Sequence, residues 1–362
     1  MQQLGKWRDF VLVGASFVCF ASTVDAQETP WEAYGFLNFG ILDYDDGRES
    51  SSFLVDNSNA PSRIGINYRF PAGEGDLRFN FETALGIVSS SSVDLVEGSG
   101  DAFDFDKTSL RKFEVIYSSD AFGRISFGQG SMATDGAAGA DYSGTTIVTT
   151  SAISDLAGGN LLRDEAGALT DVRVGDTNGN LDGSRRFRLR YDTSRYSGFG
   201  VSAAYGQEVL RDNDDNDYYD VALSYSSSSD YIDAEAYLGY SWAGNDREWL
   251  VGSVAVLHSP TGLNGAIAAG REDSGGSYYW LKAGIRRDWF SMGETALSLD
   301  YYVGEDFESE GSDTDSWAIA LVQKIDSANL ETFLVYREYG FSELTTDYLD
   351  GRGIMVGGRW RF

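Results

Sequence analysis

Apolar and polar residues alternate along nearly the whole chain after residue 30, and this two-residue period most strongly limits what the chain can fold into. The clearest example is residues 186–191, where three arginines alternate with Phe, Leu and Tyr. Successive side chains of a β-strand point to opposite faces, whereas an amphipathic helix has a period of about 3.6 residues. The pattern therefore predicts an all-β chain whose strands have two unlike faces.

Alternating segments occur sixteen times, and each spans about ten residues. The predicted strands are 32–42, 62–70, 77–88, 108–118, 123–130, 184–192, 198–207, 218–226, 231–242, 248–258, 263–271, 278–288, 294–303, 316–325, 330–339 and 351–362. Long polar connections alternate with short turns rich in Gly, Ser, Asp and Pro. An even number of strands with long loops at one rim and short turns at the other is typical of outer-membrane β-barrels.

The composition of the two strand faces favours a membrane protein over a soluble β-sandwich. The apolar faces are rich in large aromatic residues, and Tyr and Trp recur near strand ends. The polar faces carry repeated arginines, which a sandwich could not bury unpaired. These faces suit a 16-stranded antiparallel transmembrane β-barrel with lipid outside and a charged, water-filled lumen inside.

The first 26 residues match a secretory signal peptide. A basic start precedes an apolar stretch at 10–21, and the small residues at 24 and 26 fit a cleavage site. We expect export and a mature barrel at 27–362, without Cys19, the only cysteine of the sequence. A buried N-terminal strand is the alternative interpretation of this segment.

One connection, residues 131–183, is much longer than the others and is the third of the long loops. A loop of this length in a compact fold is either functional or a sign of a wrong strand assignment. Its acidic residues are Asp135, Asp141, Asp155, Asp164 and Glu165. If the loop folds into the pore, it would narrow a lumen that sixteen strands leave open. The alternative is that this segment lies at the surface and contains strands that the alternation does not reveal.

Basic residues on the polar strand faces could form a wall opposite this loop. The candidates are Arg63, Arg69, Arg78, Lys112, Arg186, Arg188 and Arg190. Opposed charges across a narrow, wet opening would create a transverse field that orients dipolar solutes. In the alternative interpretation, these side chains pair with Asp and Glu and tether the loop and the rim.

The formal net charge is −28, and residues 305–315 hold six acids and no base. An acidic mouth enriches cations, so we expect a weak cation preference and no nucleic-acid partner. One His and one Cys exclude most His/Cys metal sites. Asp176, Asn178, Asn180 and Asp182 place oxygen donors at every second position, as a calcium loop does, but the distal Glu of an EF-hand is absent and runs of Asn, Asp and Gly are usually plain turns.

Several short segments resemble one known family. They are Ser62-Arg63-Ile64-Gly65, Phe122-Gly123-Arg124-Ile125-Ser126-Phe127-Gly128-Gln129, Arg190-Tyr191-Asp192, Phe199-Gly200-Val201-Ser202-Ala203 and the ending Gly357-Gly358-Arg359-Trp360-Arg361-Phe362. Together they resemble the Gram-negative general porins, except that Gln129 stands where many relatives have Arg. The resemblance implies a trimeric outer-membrane barrel surrounded by lipid and lipopolysaccharide, with the third external loop folded into the pore. It also implies that Phe362 is an assembly signal for the outer-membrane assembly machinery.

These features predict a porin for passive diffusion of small hydrophilic solutes and ions, not an enzyme. A solute-selective porin, for a sugar or an anion, is the alternative within transport. An adhesin that uses the acidic loops stays open. An outer-membrane enzyme is disfavoured because the sequence has no G-x-S-x-G motif and only one histidine, His258.

Overall fold

The computed structural model describes residues 30–244 and 247–362. The predicted signal peptide and its cleavage site lie outside these residues. Within the described part of the chain, no helix combines the length and the hydrophobicity needed to cross a membrane.

The described residues form twenty strands and three short 3-10 helices. The strands are β1 (Trp31–Asp45), β2 (Ser50–Asp56), β3 (Arg63–Ala72), β4 (Gly75–Ala84), β5 (Leu110–Ser119), β6 (Gly123–Ser131), β7 (Leu161–Arg163), β8 (Leu169–Arg173), β9 (Arg185–Asp192), β10 (Phe199–Gln207), β11 (Asp217–Ser228), β12 (Ile232–Ala243), β13 (Arg247–His258), β14 (Leu263–Glu272), β15 (Ser277–Phe290), β16 (Gly293–Glu305), β17 (Asp313–Ile325), β18 (Leu330–Glu343), β19 (Thr346–Asp347) and β20 (Gly351–Arg361). The 3-10 helices are Lys107–Ser109, Ile153–Asp155 and Asp326–Ala328.

Sixteen of these strands close into an antiparallel barrel. Each pairs with its neighbour along the chain, and closure comes from β1, whose residues 31–36 pair with β3 and whose residues 36–45 pair with β20. The predicted number of strands is confirmed, and every predicted strand boundary lies within four residues of the observed one. The sequence did not indicate β2, which pairs with the outer part of β1, β19 beside β18, or the separate β7–β8 hairpin.

The two-residue period separates an outer apolar face from an inner face. On β17, Ile319 and Leu321 are exposed on the outside, while Ala318 and Ala320 are buried on the inside. The same pattern of exposed large apolar side chains recurs on strands around the barrel. Such a belt is stable against lipid rather than water.

The chain end completes the barrel at the junction of its first and last strands. Backbone hydrogen bonds of 3.1 and 3.2 Å join Phe362 to Gly35, and the Phe362 ring lies 5.2 Å from that of Trp360. A Cβ atom on Gly35 would lie 2.8 Å from the Phe362 ring, so a glycine is needed there. The role of Phe362 as an assembly signal stays a prediction.

Candidate functional site

The third long loop, residues 132–184, lies inside the barrel and follows one side of its inner wall. The Thr134 hydroxyl donates to the inward-facing Asp220 of β11 at 2.7 Å. Further along, the Thr145 hydroxyl lies 2.7 Å from that of Ser298, near the middle of β16. These contacts bring the loop to about mid-height in the lumen.

The strongest polar anchor of the loop is a buried ion pair. Lys282 of β15 points inward, and its ammonium lies 2.7 Å from the Asp141 carboxylate. The two side chains are 1% and 4% exposed, and Lys282 also donates to the Thr149 carbonyl at 2.9 Å. Because a buried ammonium without a partner is costly, this lysine fixes the position of the loop segment 141–149.

The loop also packs on a continuous apolar surface, which we call the apolar half. It comprises the inward faces of β13–β18 and β20, where Val251, Ala255, Ala266, Ala268, Ala296, Ala318, Ala320, Val322, Phe333, Val335 and Met355 are buried. Ile153 and Leu156 of the loop are buried in the same cluster. A Cβ atom on Gly353 would approach Leu156 to 3.1 Å, so β20 accommodates this side chain closely.

The apolar half contains a second buried ion pair within the wall itself. Arg337 of β18 lies 2.8 Å from Asp300 of β16, and the two side chains are 1% and 0% exposed. Arg337 also donates to the Ser316 hydroxyl of the intervening strand at 3.1 Å. Each charge has its partner within the sheet, so this pair ties three strands together.

The opposite side of the lumen, which we call the charged half, comprises the inward faces of β3, β4, β5 and β9. At its centre, the Glu82 carboxylate lies 2.6 Å from Arg111, 3.5 Å from Arg63 and 3.7 Å from Lys112. The Tyr34 hydroxyl donates to the same carboxylate at 3.0 Å. Three cations around one carboxylate leave a local charge of +2.

This group of Arg63, Glu82, Arg111 and Lys112, the Glu82 cluster, lies halfway up the barrel. Arg63 pairs in register with a residue in the middle of β1. Strict alternation would place Arg111 and Lys112 on opposite faces of β5. The register of β4 and β5 shifts after Glu82, so that Lys112 and Leu110 pair with successive residues of β4 and Arg111 between them forms a β-bulge. This bulge turns the side chains of both Arg111 and Lys112 inward. For this reason the alternation of the sequence did not predict that Arg111 faces the lumen.

Each arginine of the predicted stripe on β9 is paired with an acid, either on β9 itself or on another segment. The pairs are Arg186 with Glu208 at 3.2 Å, Arg188 with Glu114, and Arg190 with Asp192 at 2.6 Å. Arg188 and Arg190 also donate to the carbonyls of Ser131 and Met132, at 3.0 and 2.5 Å, where the long loop begins. These contacts favour a tethering role for the stripe.

The two remaining basic candidates lie nearer the short-turn rim. Arg69 pairs with Asp76 at 2.5 Å, and its side chain is 64% exposed. Arg78 is half-buried opposite Arg69 in the register of β3 and β4, and the described residues contain no ion-pair partner for it. Both face inward, but the structure does not join them to the Glu82 cluster.

The acids of the loop are not gathered in one place. Asp141 is the partner of Lys282, whereas Asp164 and Glu165 lie in the β7–β8 turn, where the Glu165 amide donates to the Asp347 carbonyl at 3.0 Å. That turn packs beside the last long loop, near the outer rim. Asp135 and Asp155 have no ion-pair partner in the described residues, and burial raises the pKa of Asp155 to about 7. A role of these acids in a constriction stays a prediction.

The candidate calcium ligands Asp176, Asn178, Asn180 and Asp182 are each hydrogen-bonded within the loop. Asp182 accepts from the amides of Gly136 and Ala138 at 3.0 Å, which joins the two ends of the loop. Burial and the nearby Asp135 raise its pKa to about 7. Residues 30–244 and 247–362 contain no group of three or more His, Cys, Asp or Glu side chains suited to a metal.

Comparison with known proteins agrees with this geometry. A family model described as Gram-negative porin matches residues 12–344. Similar solved structures include the anion-selective porin from Comamonas acidovorans, with 16% identity, a TM-score of 0.59 and coverage of 92% of this chain and 99% of that one. OmpT of Vibrio cholerae in its trimer form has 14% identity and a TM-score of 0.57, with coverage of 92% of this chain and 99% of that one. Salmonella typhi OmpF in complex with daunomycin has 14% identity and a TM-score of 0.58, with coverage of 92% of this chain and 97% of that one. Curated proteins give no match.

Proposed function

The chain belongs to the Gram-negative porin family and is a protein of the outer membrane, and we propose that it forms a water-filled channel for passive diffusion of small hydrophilic solutes and ions. The observation that carries this proposal is the unequal interior of the barrel. The loop covers the apolar half, while charged groups line the other half. A lumen lined in this way stays hydrated, because desolvating these charges would be costly.

The Glu82 cluster would supply the positive side of an electric field across the pore. Its excess positive charge lies at mid-height. The loop carries Asp135, for which the described residues contain no ion-pair partner. A field of this kind orients a passing dipolar solute and disfavours apolar ones. Family and fold point to a channel rather than to an enzyme.

We further propose a weak preference for cations. The run 305–315 has six acids and no base, and it comprises the external connection 306–312 and the adjoining ends of β16 and β17. An acidic mouth raises the local concentration of cations before they reach the lumen. Most lumen arginines are neutralised by partners, so their effect on small ions is reduced.

An anion-selective channel is the second candidate, because the Glu82 cluster has a net positive charge. The two candidates differ in which charged region controls the current. If the mouth controls it, cations permeate faster, and if the cluster controls it, anions do. A sugar-selective porin would instead show current block by a neutral solute.

The oligomer and its partners are also part of the proposal. We propose a homotrimer in the outer membrane, in contact with lipid and lipopolysaccharide and assembled by machinery that recognises Phe362. The solved trimer of OmpT from Vibrio cholerae has the same fold, which supports this assembly.

Planar-bilayer recording tests the proposal. The purified protein should insert as pores with three equal conductance steps, and a salt gradient should give a reversal potential of the sign that cation preference requires. A chain that folds but conducts no ions would contradict the channel. A reversal potential of opposite sign would replace the cation preference by the anion-selective alternative.

A further inference from the structure

One carboxylate on the charged half of the lumen, that of Glu82, has more basic partners than any other acid in the described residues. Its Oε1 atom lies 2.6 Å from Nε of Arg111 and 3.5 Å from the Arg63 guanidinium. Its Oε2 atom lies 3.7 Å from the Lys112 ammonium and accepts a hydrogen bond of 3.0 Å from the Tyr34 hydroxyl. Both oxygens therefore face donors, and the Glu82 side chain is only 4% exposed.

The ratio of bases to acid at this carboxylate differs from that elsewhere in the barrel. Asp192, Glu294 and Glu331 have two basic partners each, and the other ion-paired acids of the described residues have one. Three cations around a single acceptor exceed what its charge can neutralise. Guanidinium, ammonium and hydroxyl donors that converge on one point form the arrangement by which proteins bind a carboxylate ligand.

The backbone leaves room for this arrangement at Gly65. Tyr34, Gly65 and Glu82 are cross-strand partners in one row over β1, β3 and β4. Lys112 continues the row on β5. A Cβ atom on Gly65 would overlap the Tyr34 ring, so the missing side chain lets Tyr34 cross β3 and reach the carboxylate. Because glycine weakens a strand interior and marks a close approach of this kind, the hydroxyl is a built part of the site.

We propose that Glu82 determines the ion specificity of the channel by occupying an anion-binding site as a tethered counter-ion. The site is formed by Tyr34 and the three bases of the Glu82 cluster. Its soluble ligand is a small carboxylate, because a carboxylate already fills it. While Glu82 is in place, a permeating anion meets a net charge of +2 but no vacant site, and it passes without being held. Without Glu82, a small carboxylate from solution binds in its place.

This inference rests on the proposed channel, because specificity has a meaning only for ions that permeate. The site is open to such ions at Lys112, whose side chain is 30% exposed, while those of Arg63 and Arg111 are 15% and 14% exposed. Partly covered charges are screened less than charges in open water. Removing Glu82 should therefore change selectivity more than the same change at an exposed position.

Reversal potentials in planar bilayers test the inference with two variants of the full protein and with potassium formate as the probe. In a potassium chloride gradient, Glu82→Gln and Glu82→Ala should lower the ratio of cation to anion permeability about threefold, because the local charge rises from +2 to +3. Formate added to Glu82→Ala should restore most of the ratio, because it supplies the missing carboxylate. In Glu82→Gln the amide still fills the site, so formate should restore less. Formamide, which has a similar size and no charge, should restore nothing.

Glu294→Gln is the matched control. Glu294 also faces inward and has two basic partners, Lys324 at 2.8 Å and Arg286 at 3.5 Å, but it lies on β16 next to the short-turn rim. This variant should change the permeability ratio less than Glu82→Gln does, and formate should not alter it.

A conducting channel whose permeability ratio is unchanged by Glu82→Gln overturns the inference. An equal response of Glu82→Ala and the unsubstituted protein to formate does so too. An unsubstituted protein that conducts no ions contradicts the channel itself instead. If neither Glu82 variant folds, Lys112→Gln is compared with the double variant Glu82→Gln and Lys112→Gln. The double variant should have a permeability ratio about threefold lower than the single one, and equal ratios overturn the inference.

Discussion

The two halves of the barrel interior share one backbone architecture but differ in what their side chains do. In the apolar half, Ala318, Ala320 and Val335 are at most 1% exposed and lie under the long loop. In the charged half, inward positions at mid-height carry Arg63 and Glu82 instead. Strand pairing is the same in both, so the inward side chains decide where the loop lies and where water remains.

The energetic reason is the unequal cost of covering the two surfaces. Burying apolar surface contributes about 25 cal/mol per Å², whereas covering charged groups would remove their hydration. The loop therefore packs on the apolar half, and the pore lies to one side of the barrel axis.

Lys282→Met should have the largest effect. It leaves Asp141 buried without its partner, and breaking such a pair costs about 3–5 kcal/mol. We expect the loop to detach, with a higher and noisier conductance and new protease cleavage within 141–149. The double variant Lys282→Met with Asp141→Leu removes both charges and should restore most of the attachment. An unchanged conductance in the single variant would contradict the anchoring role.

Leu156→Ala should loosen the apolar contact of the same loop. Leu156 is 1% exposed, and truncating such a side chain costs about 2–4 kcal/mol. Protease sensitivity and current noise should both increase, though less than for Lys282→Met. Leu321→Ala, which faces outward on β17, is the control and should change neither property. Equal effects of the two leucine variants would show that loop packing is not involved.

These two anchors also show how far the sequence could predict the structure. The period of two and the rhythm of loops gave all sixteen barrel strands. Lys282 was missed because it stands alone among aromatic residues, and its partner Asp141 is far away in the chain. Pairing of the β9 arginines depended on strand register, which residue spacing does not reveal.

The charged half was predicted in character but not in detail. Arg63 and Lys112 were expected in the lumen, and the structure places both beside Glu82. Arg111 was not expected in the lumen, because a bulge interrupts the alternation on which the assignment of inward positions depended. Asp164 and Glu165 were expected with the other loop acids, yet the β7–β8 hairpin, which the sequence did not indicate, places them near the rim.

Arg111→Gln should change ion selectivity without moving the loop. It removes one of the three cations beside Glu82, and a unit charge near a solvated lumen is worth a fraction of 1 kcal/mol. The ratio of cation to anion permeability should rise about twofold, as measured by reversal potential. Arg69→Gln is the control, because Arg69 is exposed near the rim and should have a smaller effect. A larger shift in the control would mean that the Glu82 cluster is not the controlling charge.

A change of pH should have the smallest effect. Asp155 and Asp182 have pKa values of about 7, so both carboxyls gain protons between pH 8 and pH 6. The loop beside the lumen then loses negative charge, and cation preference should fall by less than twofold. Asp155→Asn combined with Asp182→Asn should flatten this dependence, and a dependence that persists would exclude these two groups as its source.

The raised pKa values of Asp155 and Asp182 also determine how the stability of the folded state changes with pH. They are raised above the value of about 3.9 in an unfolded chain. The native state therefore binds protons more tightly, and the stability that these groups contribute is full below about pH 4 and lost as the pH rises through 7. Loop attachment, measured by protease resistance, should be stronger at pH 6 than at pH 8.

The most direct test of the unequal interior is thiol accessibility from the lumen. In a Cys19→Ser background, single cysteines at Lys112 and at Ala320 probe the charged and apolar halves, which are lined by inward positions of β5 and β17. A charged methanethiosulfonate reagent added to a conducting bilayer should reduce the current through Lys112→Cys and leave Ala320→Cys unchanged. Equally rapid modification of both would contradict the account, because the loop would then not cover the apolar half.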